Sequence, residues 1–143
     1  MPYVFVLLLM SALSAAAVDG DSAADRHFLD FVAPLLRSRC VSCHGPDKVK
    51  GGLRLDSRES ILKAGDSGIP AIVPGKPNES LLLQAVTHSK KDLEMPPKEK
   101  LTTNDIAVLA QWIHDGAPWP ESQGLGSVPP KSDSTERLRQ RLG

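Results

Sequence analysis

Residues 40–44 read Cys-Val-Ser-Cys-His and contain the only two cysteines of a 143-residue chain. C-x-x-C-H is the attachment signature of a c-type haem. A separation of three places two thiols on one side of a helical turn, from which both add as thioethers to the vinyl groups of one porphyrin. His44 follows directly, where its imidazole meets the iron from the proximal side. Competing chemistries fit less well. A thioredoxin-like C-x-x-C needs a strand before it, whereas the residues before Cys40 have helical periodicity and Gly45-Pro46 breaks the chain after it. A zinc site would need Cys40, Cys43, His44 and a fourth ligand such as His88, and adjacent Cys43 and His44 do not easily face one tetrahedral ion. A disulfide across two residues would be strained and would close almost no loop.

The N-terminus fits that chemistry. Val4 to Met10 is unbroken VFVLLLM, followed by small residues ending in Ala15-Ala16-Ala17, and the first charge is Asp19. This is the layout of a cleaved export signal over residues 1–17, which predicts a periplasmic or equivalent exported location. An uncleaved signal anchor, with membrane association, is the alternative. The expected folded domain is 21–120. Residues 121–143 read as a flexible tail, opening with the Gly/Ser/Pro-rich ESQGLGSVPPK.

Within the domain the periodicity is helical. Phe28, Phe31/Val32 and Leu35/Leu36 mark a first helix over Asp25–Arg39, with a kink or two abutting short helices expected at Pro34. Ser57–Ala64 predicts one or two helical turns, Gly65–Lys76 a loop, and Pro77–His88 a helix. Thr102 and Asp105 form a helix start, Ile106, Leu109/Ala110 and Ile113 its inner stripe, and Gly116 its stop. The class is all-α, with helices too short to persist alone. Aromatic residues make up only 4% of the chain against 12 prolines, so an apolar cofactor is a natural core filler. Phe28, Phe31 and Trp112 fit either the crossing of the first and last helices or the porphyrin edge. Trp119 fits a haem cover or a domain closure.

An electron carrier needs a second axial ligand. Met1 and Met10 belong to the signal, which leaves Met95, followed by the stiff Pro96-Pro97 pair. Its charged, proline-rich surroundings are poor ones for a core methionine. His88 is the main rival; His27 and His114 read as surface residues.

The segments RCVSCHGPDKVKGGLRLDS, GDSGIPAIVPGKPNESLLLQAV and DLEMPPKEKLTTNDIAVLAQWIHDGAPWP together resemble the planctomycete-type cytochrome c domain, over about Phe28 to Pro120. The resemblance implies a class I-like, all-α cytochrome c fold with one covalent haem c. It also implies Cys40 and Cys43 as attachment sites, His44 as proximal ligand and Met95, in the MPP motif, as distal ligand. Such domains commonly open larger exported proteins, so a chain ending soon after Pro120 reads as a stand-alone cytochrome or a piece of a larger one.

The expected function is single-electron transfer between redox partner proteins, without catalysis, because His/Met ligation leaves no open iron site. The alternative is a haem-based sensor, or an electron-entry module for a separate enzyme domain; a non-haem metal protein is the third. The charge balance, 17 basic against 17 acidic residues, disfavours nucleic acid as a partner. Between Arg37 and Lys63, however, seven basic residues stand against three acidic ones, which predicts an anionic partner docking near the haem motif.

Overall fold

A computed structural model describes residues 22–120 together with 124 and 125. The expected signal segment 1–17, and the expected tail apart from those two residues, lie outside the described residues. Among the described residues the regular structure is helical, with no strand. Two isolated antiparallel bridges, His44–Val49 and Ala64–Pro70, are its only sheet-like pairings.

Ser22 starts the first helix, α1 (Ala23–His27), by accepting the Asp25 amide hydrogen at 3.0 Å. The helix runs through a π-helical turn, Phe28–Val32, into α2 (Ala33–Arg39). There the Ala33 amide reaches back to the Phe28 carbonyl, five residues away. Pro34, one residue on, has no amide hydrogen, and its ring would crowd the carbonyl of a regular α-turn. The wider turn meets that constraint, so two short α-helices are joined through a π-turn in place of a simple kink.

At the other end, α5 (Thr103–His114) has the start and stop expected of it. Thr102 Oγ1 accepts the Asp105 amide at 3.1 Å and donates to the Asp105 carboxylate at 2.8 Å. Gly116 adopts φ 92°. Its amide bonds to the Ile113 carbonyl while that of Ala117 reaches the Trp112 carbonyl, satisfying the last free carbonyls of the helix. The first helix and α5 cross at an aromatic cluster. Phe28 lies 5.9 Å from Trp112 and 4.5 Å from Trp119 between ring centroids, and all three rings are buried. The Trp112 indole donates to the Pro118 carbonyl at 2.8 Å. This settles the open choice for Phe28 and Trp112 in favour of the helix crossing. Phe31 is instead 56% exposed. His27, expected on the surface, is half-buried, with Nε2 3.3 Å from the Val108 carbonyl.

The middle of the chain is long loop punctuated by α3 (Arg58–Ile61) and α4 (Leu81–Val86). The helix expected from Pro77 is split: a 3-10 turn, Pro77–Glu79, precedes α4, and Ser80 between them is extended. Ser80 is fully buried and acts as a polar staple. Its hydroxyl accepts the Val73 amide at 2.9 Å and donates to the Lys76 carbonyl at 2.9 Å. The Gly75 amide meets the Ile113 carbonyl at 2.7 Å and the Leu82 amide meets that of Ala71 at 2.8 Å. These bonds draw Ala71 and Ile72 into the core. Leu125, read as tail from composition, is also buried, and its amide bonds to the Asp56 carbonyl at 2.8 Å.

Replacing fully buried Ser80 with Ala leaves the part-buried Val73 amide without its acceptor. The expected loss is about 1–3 kcal/mol in denaturant unfolding, whereas replacing exposed Ser67 in the same loop changes little.

Candidate functional site

The site begins where α2 ends. The Cys40 amide still bonds to the Leu36 carbonyl at 2.9 Å, and the Cys40 carbonyl then accepts from Cys43 at 3.1 Å and from His44 at 2.9 Å. One further tight turn is thereby added to α2, and it carries both thiols and the imidazole. Gly45 ends it. A Cβ at that position would collide with the Val41 carbonyl oxygen, so no larger residue fits where the chain turns away. The chain folds back at once: the Lys50 amide meets the Cys43 carbonyl at 3.1 Å and the Leu55 amide meets that of His44 at 2.8 Å.

This return segment delivers an acceptor for the imidazole. His44 Nδ1 lies 3.3 Å from the Leu53 carbonyl oxygen. An Nδ1–H donated there fixes the tautomer with its lone pair on Nε2, the form that binds a metal. No side-chain pattern marks a backbone carbonyl, so the sequence alone did not reveal this partner. The same strand of chain holds an ion pair. Arg54 donates from Nε and Nη2 to the two oxygens of buried Asp56 at 2.9 and 2.6 Å. These hydrogen bonds hold the Asp56 carboxyl below the usual carboxylate range.

Met95 arrives from the other side. After α4 the chain turns at His88, which adopts φ 54°, and the His88 and Met95 amides both donate to the Ala85 carbonyl at 3.1 Å. The Met95–Pro96 peptide is cis. Cys40, Cys43, His44 and Met95 all line one cavity of about 660 Å³. Its walls are mainly aliphatic, among them Leu53, Leu55, Ile69, Leu82, Val86 and Leu93. His27, His88 and His114 do not line it, and neither do Phe28, Trp112 and Trp119. The donor set fits a covalently held haem: two thiols on one turn, an oriented imidazole and a thioether lining one mainly apolar cavity. Among the described residues no group of three or more His, Cys, Asp or Glu is arranged to hold a bare metal ion.

Residues 40–99 match the family model described as Planctomycete cytochrome C. Over those residues the chain is similar to cytochrome c domains of the planctomycete type. No curated protein and no solved structure matches the chain. The family implies covalent haem c and suggests an electron-transfer role in preference to catalysis.

Cys40 is the more enclosed thiol, 8% exposed, and burial pushes it up to about 11. In protein prepared without haem, iodoacetamide at pH 8 should therefore modify Cys43 well before Cys40, because only the thiolate reacts. Peptide mass mapping over time measures the order, and unfolding the chain should abolish the difference.

Proposed function

We propose that this protein is an exported monohaem cytochrome with a cytochrome c-like fold, moving single electrons between redox partner proteins. Cys40 and Cys43 form the thioethers, His44 is the proximal ligand and Met95 the distal ligand. One observation carries this reading: these four side chains, drawn from segments far apart in sequence, line the same apolar cavity, and His88 does not. When bound, haem supplies a one-electron iron couple. The chain supplies the setting. The Leu53 carbonyl orients His44, the Ala85 carbonyl holds the Met95 backbone, and the aliphatic walls exclude water and lower the local dielectric. A methionine opposite a histidine raises the potential relative to two histidines. The apolar segment Val4–Met10 before the small residues supports export.

For the partner, we propose an acidic redox protein. Lys48 and Lys50 are exposed on the turn that follows His44, and Val49 between them is 46% exposed. Ile69, 43% exposed, lines the cavity together with Lys50. An apolar patch edged by cations suits an anionic docking face.

Expressed with the c-type assembly machinery, the purified protein should gain the mass of one porphyrin and give a pyridine haemochrome spectrum of thioether haem. Its near-infrared sulfur-to-iron band should vanish in Met95→Ala, with a lower potential; a band that survives the substitution assigns the distal site elsewhere. Electron exchange with hexacyanoferrate should slow as salt rises, and Lys48→Glu combined with Lys50→Glu should weaken that salt dependence. Rates indifferent to salt would remove the proposed docking face.

A further inference from the structure

Two residues at the cavity rim belong to neither the attachment motif nor the ligand set. Arg39 is the last residue of α2, directly before Cys40. Glu99 lies just beyond the Met95-Pro96-Pro97 stretch. Both line the cavity, and Arg39 Nη2 stands 3.4 Å from Glu99 Oε2. The pair joins segments 60 residues apart, one bearing the thiols and the other the thioether.

The Met95 loop is thus tied to the body on both sides of its ligand. Upstream, the Met95 amide is held by the Ala85 carbonyl at 3.1 Å. Downstream, Glu99 is held by Arg39. Between the two ties lie Pro96 and Pro97, whose rings fix φ and remove slack, so a tie at Glu99 is transmitted to Met95 as position. The Arg39 side chain is 34% exposed against 78% for Glu99, which makes this a rim contact, modest in strength and screened by salt.

We propose that Arg39 and Glu99 are positioning residues: their ion pair is a latch that keeps the Met95 loop closed over the cavity and Met95 against the iron. The inference rests on Met95 being the distal ligand and adds what holds it there. Opening the latch raises the fraction of time Met95 is displaced, and with it access for an external ligand.

The test is imidazole binding to the ferric holoprotein, followed by loss of the near-infrared sulfur band. Arg39→Gln and Glu99→Gln should each raise imidazole affinity roughly two- to three-fold, with the band intact before imidazole is added. The double variant should go no further than either single, since both remove one interaction. In about 1 M sodium chloride the wild type should approach the variants, which themselves should shift little. Glu59→Gln, which breaks the separate exposed Glu59–Lys63 pair, should match the wild type. Single variants with wild-type affinity, or two effects that add in the double variant, overturn the latch alone. A haem-loaded wild type without the sulfur band overturns the ligand assignment and the latch with it.

Discussion

The contact of Phe28 with Trp112 and Trp119 is the interaction on which the rest of the structure depends. These side chains are the bulk of the aromatic volume in the described residues, and all are gathered at one crossing. That crossing fixes the first helix against α5 and so sets where α2 ends. The thiols and His44 emerge from that end. The other wall of the cavity is hung from the same frame: α4 packs on α5, and Gly75 bonds to the Ile113 carbonyl. The aromatic cluster and the cavity are thus separate parts of the interior. One is packed by the chain's own rings, and the other is walled by aliphatic side chains around the proposed ligands.

The arrangement also explains how such short helices persist. None of α1 to α4 exceeds seven residues, a length that is marginal in isolation. Helix ends are closed by local devices: Ser22 and Ser57 at the N-termini of α1 and α3, a left-handed His88 after α4, and Thr102 and Gly116 at the two ends of α5. Loops contribute core residues directly, Ala71 and Ile72 being as buried as any helical side chain. Ser80 makes this possible by satisfying loop backbone groups that would otherwise be buried without partners.

Much of this was legible in the sequence, and what was legible is local. The Thr102–Asp105 start and the Gly116 stop each depend on residues a few positions apart, and each stands as expected; the C-x-x-C-H spacing likewise puts Cys40, Cys43 and His44 on one turn. The π-turn was not legible. Pro34 signals that a regular helix must give way, but how it gives way depends on keeping both Phe28 and Val32 buried against α5. The Leu53 carbonyl and the Ser80 staple were invisible because backbone acceptors have no sequence signature. For Phe28, periodicity gave the inner face but not what that face meets, and Trp112 fell outside the inner stripe read for its helix; only the crossing of the two helices decided both. The convergence of Met95 on the cavity, and the exclusion of His88, likewise needed the turn after α4.

Leu125 packs against the domain from beyond the expected boundary. Composition places the boundary at Pro120, after which glycine, serine and proline dominate. Yet the Leu125 amide bonds to the Asp56 carbonyl, and its side chain is sealed from solvent. An excised or transplanted version of this domain that ends at Pro120 would strip cover from the segment carrying the Arg54–Asp56 pair, itself next in line to the carbonyl that orients His44. A version that keeps Leu125 keeps that cover.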